Sequence, residues 1–436
     1  SVSNFAFPIY SPEDNKIVAG YGTDGLNNMI QSVKSYKDKH FLALKAFGLQ
    51  GTNFVTVNDK NKTIGGEMLQ IDNLRNFSTK FAKCMDILGE LVNEKSGLVF
   101  IFSNLVKIGI ELFEQVLLAN GYLEYDPTSM YTIKPNTIHY KTGQIYEEFI
   151  KTNPASDFFP AVFLSVTSGA EDDAQVPEEK KHIIDHVFSV PGNTEGKFIK
   201  VLLGSPVMTE GVTLKNTDTI IILDTHYHLG QIMQVIGRGI RFCVHNDVTS
   251  EENPYPTVKV YKLIVKVTGS DELSTEGILY KKAEQKYILV KDVERVLQDN
   301  SFDCANNYNI NVPRNVEEFK DCIPPLEYQA LRDKTGYTQC PMSCNFQKCM
   351  FKCNNKKLNL KYYDEGSRLY KRIKKANLDF TTFTSKMART EIEYCKEKIK
   401  EMFRFKYAYY LDEILEYVKT SLSSDQADLF EDFFCY

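Results

Sequence analysis

Five apolar runs, each parted from the next by a polar or amphipathic stretch, constrain this chain more than any other feature. The first, Gly97-Leu98-Val99-Phe100-Ile101-Phe102-Ser103, is followed by a helical pattern over 108–118 that stops at Asn120-Gly121, a left-handed stop signal. A second run at 160–169 precedes an amphipathic helix at 178–188. Runs at 198–203, 219–224 and 257–265 complete the set, and a helix is predicted over 227–240 between the last two. Continuous apolar strands, as opposed to alternating ones, belong to sheets covered on both faces. The expected fold is therefore α/β, a parallel sheet with helices on both faces, over residues 76–268.

Flanking segments read differently. Residues 1–75 have turn signals at Tyr21-Gly22-Thr23-Asp24-Gly25 and Gly51-Thr52-Asn53 and are taken as a linker or peripheral elaboration. Residues 122–159, with Asp126-Pro127 and Pro135-Asn136, read as an insertion into the sheet domain. From 269 to 436 the pattern becomes mainly helical, at 279–297 and 390–419, around a cysteine-rich stretch. A length of 436 residues allows such a division at about 150 residues per domain.

Composition excludes some classes of function. With 43% hydrophobic and 25% charged residues the chain is expected to fold, not to be disordered. No apolar run approaches the roughly 20 residues of a membrane span, and Ser1-Val2-Ser3-Asn4-Phe5 lacks signal-peptide character, so a soluble intracellular protein without a membrane partner is expected. A net charge of −5 means that any nucleic acid would have to be met by a local basic patch.

Ligands of open α/β sheets bind beyond the carboxyl ends of the strands, and the chemistry of this chain collects there. Ser103-Asn104 follows the first strand and Thr167-Ser168-Gly169 the second. After the third comes Gly204-Ser205-Pro206-Val207-Met208-Thr209-Glu210-Gly211-Val212-Thr213-Leu214. Hydroxyls and backbone N–H groups at such loops can hold phosphates without reading sequence. Taken singly, each is also an ordinary polar turn. The octapeptide Gln234-Val235-Ile236-Gly237-Arg238-Gly239-Ile240-Arg241 adds two arginines three residues apart, on one face if the helix continues, each with a glycine before it. Planar, permanently charged guanidinium groups suit phosphate oxygens.

In this order the loops resemble motifs IV, IVa, V and VI of the superfamily 2 helicases, which implies a second RecA-like lobe. The resemblance implies that Ser103, Asn104, Thr167, Ser168 and Ser205 lie near a nucleic-acid backbone. It implies further that Glu210 and Gly211 face the nucleotide cleft, that Gln234 links two lobes, and that Arg238 and Arg241 contact a γ-phosphate, Arg241 as arginine finger. Asn4-Phe5-Ala6-Phe7-Pro8, Arg241-Phe242-Cys243-Val244-His245 and Ser301-Phe302-Asp303-Cys304-Ala305 narrow the resemblance to helicases of nucleocytoplasmic large DNA viruses. That group takes in poxvirus early-transcription proteins and the C-terminal part of large asfarvirus helicases. It implies ATP and Mg2+ as cofactors, a nucleic-acid partner with DNA ahead of RNA, contact with viral transcription machinery, and residence in host cytoplasmic viral factories and the virion.

One departure is expected to matter. ATP hydrolysis in this family needs a G-x-x-x-x-G-K-[ST] loop and an Asp-Glu pair. Gly196-Lys197-Phe198 lacks the hydroxyl residue, while Asp364-Glu365 and Asp412-Glu413 fall in the helical region. The expectation is a C-terminal fragment that supplies one side of an ATPase site and is inactive alone. The alternative is a docking and DNA-binding subunit of early transcription.

The remaining motifs stay open. His226 and His228 have no companions that complete a metal set, so no metal ligand is assigned to them, and His245 is expected to pack. Cys340, Cys344, Cys349 and Cys353 are enough for one tetrahedral Zn2+, but free buried thiols are favoured, and without a secretory signal a disulfide framework is not expected. Around 404–410, Tyr407, Tyr409 and Tyr410 could stack on bases while Lys396, Lys398, Lys400, Arg404 and Lys406 meet phosphates; two packed helices with a solvated basic face explain the same residues.

Overall fold

The computed structural model describes residues 4–49, 53–59, 61–93, 97–167, 175–209, 211–224, 226–241, 243–251, 253–254, 256–266, 269, 272–301, 303–304, 319–324, 338–341, 344, 347–349, 353, 363–364, 369–370 and 389–420. Contacts divide the chain into two compact units, Ser1–Ser301 with Asn309–Lys352, and Phe302–Tyr308 with Cys353–Tyr436. The boundaries read from the sequence at 75/76 and 268/269 do not coincide with that division.

The first unit opens with a hairpin, β1 (Phe7–Ser11) and β2 (Lys16–Gly20), then α1 (Gly22–Ser35), α2 (Lys37–Lys45) and a second hairpin of β3 (Thr56–Asn58) and β4 (Thr63–Gly65). A short α3 (Ile71–Leu74) leads to α4 (Thr79–Asn93) and the first strand of the main sheet, β5 (Leu98–Phe102). Then follow α5 (Leu112–Ala119), β6 (Leu123–Glu124), α6 (Tyr146–Phe149), β7 (Val162–Val166), α7 (Glu178–Ile183) and β8 (Val201–Gly204). The unit continues with β9 (Thr217–Ile222), α8 (Leu229–Gly239), β10 (Lys259–Lys262) and the 26-residue α9 (Thr275–Asn300).

The sheet runs β10-β9-β5-β8-β7-β6 and every pairing is parallel. Its strands alternate between two cores. On β5, Val99 and Ile101 join the core built with α1, α4 and α5, while Leu98, Phe100 and Phe102 join the core beneath α7 and α8. On β9, Ile221 points to the first side and Ile220 and Ile222 to the second. The successive side chains of a strand leave opposite faces, so a strand covered on both sides must be apolar throughout. This is the doubly covered parallel sheet expected from the apolar runs.

Two elements of that sheet domain were not foreseen. The segment 122–159 carries the edge strand β6, paired with β7 at Leu123↔Val162. Residues 4–75 cover one face of the sheet: Phe5, Phe7, Leu26, Met29 and Phe54 are buried in the same core as Val99 and Ile101. Phe5 lies against Phe77 and Phe81, with ring centroids 5.9 and 6.2 Å away. Burial of each such ring contributes about 1.5–3 kcal/mol.

In the second unit, α10 (Arg389–Met402) and α11 (Leu411–Thr420) pack as a pair, and Tyr363–Asp364 forms a two-residue hairpin with Leu369–Tyr370. Asp364 sits on this hairpin, Glu365 lies outside the described residues, and Glu413 accepts from the Tyr410 N–H at 2.8 Å at the start of α11.

The cysteines differ from expectation. Cys304 is paired with Cys353, Cys322 with Cys340 and Cys344 with Cys349 in disulfides, with Cα separations of 5.6, 4.9 and 5.3 Å. These fall within the span a disulfide bridges. The set Cys340, Cys344, Cys349 and Cys353 is therefore divided among three pairs and is not assembled around one ion. Among the described residues no group of three or more His, Cys, Asp or Glu is arranged to hold a metal.

Candidate functional site

Because β5, the first sheet strand in the chain, lies between β8 and β9, the loops after these three strands meet at the carboxyl edge where the strand order reverses. Ser103 and Asn104 follow β5, and both are tied to Asp224, which follows β9. The Ser103 hydroxyl donates to Asp224 Oδ1, and the Asn104 backbone N–H donates to Oδ2 at 2.8 Å. Ser103 Oγ also accepts from the Leu105 N–H at 3.0 Å. A Cβ at Gly109 would sit 2.0 Å from Ser103 Oγ, so the π-helical turn Val106–Glu111 passes over the hydroxyl only because residue 109 has no side chain. Ser103 is fully buried. Its hydroxyl shapes the loop, in which Asn104 is partly exposed while its Nδ2 is buried with no hydrogen-bond partner among the described residues.

Asp224 was not singled out from the sequence. A carboxylate closing an otherwise apolar strand was the available signal, but its partners lie 121 and 120 residues earlier in the chain.

The loop after β8 is a 3-10 turn, Pro206–Thr209. Ser205 is fully buried, and its Oγ has no hydrogen-bond partner among the described residues. Gly211 is exposed with a φ of +78° and nothing within 4 Å of where a Cβ would be. Only glycine adopts that backbone without strain, and the loop is left open at this point. Thr167, after β7, is half-buried; Ser168 and Glu210 lie outside the described residues.

Helix α8 buries Leu229, Ile232, Val235, Ile236 and Gly239 and exposes Gln234. A Cβ at Gly239 would lie 3.2 Å from Ile220 Cδ1, so this glycine lets the helix end close on β9, whereas Gly237 faces open space. The helix stops at Gly239, and Ile240 is extended at φ −121°, ψ 90°. Arg238 and Arg241 therefore do not share a continuous helical face, as the three-residue spacing had predicted. They converge by another route. Arg238, half-buried, donates to the Thr209 carbonyl, and exposed Arg241 donates to Thr213 Oγ1 at 3.4 Å and to the Gly237 carbonyl at 2.9 Å. Both guanidinium groups thus hold the loop after β8. A cavity of about 810 Å³ between α8 and α9 is lined by Thr209, His228 and Gln234 and, from α9, by Lys286, Tyr287 and Lys291, and neither arginine lines it.

His226, His228 and His245 have local partners. The His226 ring accepts from the His228 N–H at 3.1 Å and stacks on Tyr227, and His245 lies 2.9 Å from the Thr217 carbonyl. In the second unit, Lys396, Lys398, Lys400 and Lys406 are each paired with a glutamate, and Tyr409 packs on Phe403 with its hydroxyl on the Met402 carbonyl. Tyr407 and Tyr410 are exposed, at 100% and 80%.

A six-stranded parallel sheet with two arginines braced on a strand-end loop defines the class, and the family comparison agrees: residues 173–243 match the helicase conserved C-terminal domain. The chain thus carries a helicase conserved C-terminal domain and is similar to proteins of large DNA viruses that are helicases by name. A protein of Acanthamoeba polyphaga mimivirus that carries the name of an ATP-dependent RNA helicase is 40% identical over the whole of this chain, which spans 38% of that protein's length. A helicase by name from Invertebrate iridescent virus 3 is 26% identical over 65% of this chain and 24% of its own length. An early transcription factor large subunit homolog of African swine fever virus is 24% identical over 54% of this chain and 20% of its own. The solved C-terminal part of the Fun30 ATPase domain overlaps 61% of this chain and 74% of its own at 12% identity and a TM-score of 0.29, too low to carry weight.

Proposed function

We infer that the chain serves as the second RecA-like lobe of an ATP-dependent superfamily 2 helicase or translocase, followed by a C-terminal extension, within a longer protein whose first lobe holds the nucleotide. The observation that supports this best is the convergence of Arg238 and Arg241 on the loop after β8, with Arg241 exposed at the edge of the sheet. ATP with Mg2+, when bound to a first lobe, supplies the phosphoryl group that is transferred. The residues of this chain supply the cations that meet it. Arg241 neutralises charge that develops on the departing phosphoryl group, Arg238 keeps the adjoining loop in place, and Gln234, exposed on α8, spans the two lobes. Glu210 and Gly211 border the same cleft. Ser103, Asn104, Thr167, Ser168 and Ser205 border a nucleic-acid backbone, with Ser103 acting through the shape it gives its loop.

No G-x-x-x-x-G-K-[ST] loop occurs in these 436 residues, so the chain alone is expected to bind a single-stranded oligonucleotide yet hydrolyse no ATP. Anisotropy titrations with matched deoxyribo- and ribo-oligonucleotides, run beside a phosphate-release assay, check both halves; ATP turnover by the chain alone contradicts the reading. The names of the African swine fever virus relatives favour a second reading, a docking subunit of early transcription in which motor activity is secondary. Under either, the place of action is the host cytoplasm and the virion, which fractionation of infected cells tests.

A further inference from the structure

The strand-end loop after β5 is held by a chain of buried polar groups that ends at the start of α9. Asp224, which carries Ser103 and the Asn104 N–H, also accepts from Asn4 Nδ2 at 3.4 Å. The other end of the same amide, Asn4 Oδ1, accepts from Lys80 Nζ at 3.0 Å. Lys80 in turn is ion-paired with Glu276 Oε1 at 2.5 Å, the two side chains being 1% and 4% exposed. Glu276 Oε2 accepts from the Val265 N–H at 2.8 Å, and Ser274, the N-cap of α9, donates to the Val265 carbonyl at 2.5 Å. The Asn4 carbonyl accepts from Ser78 Oγ at 2.5 Å, and the Ala6 N–H donates to the Phe77 carbonyl at 2.8 Å, which fixes the segment that carries the amide. Asn4, Lys80, Ser103, Asp224 and Glu276 are all buried.

We propose that Asn4, Lys80 and Glu276 are positioning residues that form one buried relay from the start of α9 to the Ser103–Asn104 loop, so that the first turn of α9 sets the pose of the nucleic-acid-facing edge. This rests on the functional reading above. The chemistry of the middle position is specific. Residue 4 must accept from an ammonium on one side and donate to a carboxylate on the other, and a short amide does both. Aspartate there would place a second negative charge beside Asp224, and alanine would leave Lys80 and Asp224 each short of a partner in a site closed to water. The same relay gives a role to the sequence Asn4-Phe5-Ala6-Phe7, whose asparagine enters the network while its two phenylalanines enter the core. A low local dielectric makes such a network responsive as a unit, so that a change at Glu276 is felt at Asp224.

The test compares the full chain with Asn4→Asp and Glu276→Gln by amide hydrogen exchange and by anisotropy with a fluorescein-labelled single-stranded oligonucleotide, well below the melting temperature of each variant. Exchange over 103–105 is expected to rise at least tenfold in both variants, while the turn 193–196 at the other end of the sheet is unchanged, and the oligonucleotide Kd is expected to rise about tenfold. The paired replacement Lys80→Met with Glu276→Leu, which leaves no unpaired charge, covers the case in which a single variant does not fold and is expected to give the same two effects. Unchanged exchange over 103–105 overturns the relay. Faster exchange with an unchanged Kd overturns the positioning role and leaves a structural network. A wild-type chain that binds no oligonucleotide sinks the nucleic-acid reading and with it the positioning role, while the exchange data still decide the relay.

Discussion

Asp224 carries more of the site than its one carboxylate suggests, because three donors from two distant segments meet on it. Asp224→Ala leaves the buried Ser103 hydroxyl and Asn104 N–H without their acceptor, and each loss costs about 1–3 kcal/mol. Urea denaturation of the variant is expected to show a drop within or above that range; a shift under half a kcal/mol would mean, on the order of RT, that the carboxylate is replaced by water at no cost. Two glycines two residues apart, Gly237 and Gly239, give opposite expectations. Gly239→Ala brings a methyl group 3.2 Å from Ile220 Cδ1 and is expected to destabilise by about 1–3 kcal/mol. Gly237→Ala, in helix α8 with open space around it, is expected to stabilise by about 0.5–1 kcal/mol through helix propensity. Thermal melts of the two variants check the sign of each. The sequence pointed to Ser103 by its place after a strand. That its hydroxyl is spent on Asp224 was not legible, because sequence position says nothing of a partner 121 residues away.

At the scale of elements, four of the five apolar runs were readable because β5, β7, β8 and β9 are buried almost throughout and have no polar side to confuse the pattern; the fifth forms the mostly exposed edge strand β10. Strand β6 is two residues long and β3 and β4 three each, too brief for periodicity to distinguish them from loops, while β1 and β2, at five residues, lack the continuous apolar run of the sheet strands. The end of α8 was misjudged because a three-residue spacing fits a helix whether or not the backbone continues as one. Two titratable groups beside the sheet, half-buried Glu114 and buried Lys200, set a pH dependence. Burial raises Glu114 on α5 to about 6 from 4.5, helped by the nearby carboxylates Glu124 and Glu111. A carboxyl group whose pKa is raised in the fold contributes stability that is present below its unfolded value and lost as pH rises through about 6. Burial lowers Lys200, just before β8, to about 8 from 10.5, partly opposed by Asp218 and Glu195. Its contribution has the opposite sense, present above 10.5 and lost as pH falls through about 8. Melting curves are expected to lose the decline between pH 4.5 and 6 in Glu114→Gln and the rise between pH 8 and 10.5 in Lys200→Met. Wild-type slopes retained in both variants would contradict the assignment.

For the molecule as a whole, the covalent organisation departs most from what the sequence suggested. Clustered cysteines were expected to be thiols or metal ligands from their spacing alone; which sulfurs face each other is decided by how the chain folds between them. With Cys304–Cys353 joining the two segments of the second unit across a sequence separation of 49, a reductant is expected to lower the stability of that unit by about 2–4 kcal/mol. Denaturant titrations with and without a phosphine reductant measure this, and identical midpoints would show that the bridge contributes nothing. The larger consequence concerns function. In the proposed function, edge loops, buried carboxylate and braced arginines form one half of a phosphate site, and the chain spans only 38% of the length of its mimivirus relative. The central claim is that Arg241 completes an ATPase site whose other half lies on a first lobe. The measurement that bears on it most directly is nucleic-acid-stimulated ATP hydrolysis by a two-lobed protein containing this chain, with and without Arg241→Ala. Loss of an arginine finger is expected to cut kcat about 10³-fold or more while oligonucleotide binding is retained; a variant that turns over ATP at the wild-type rate contradicts the account.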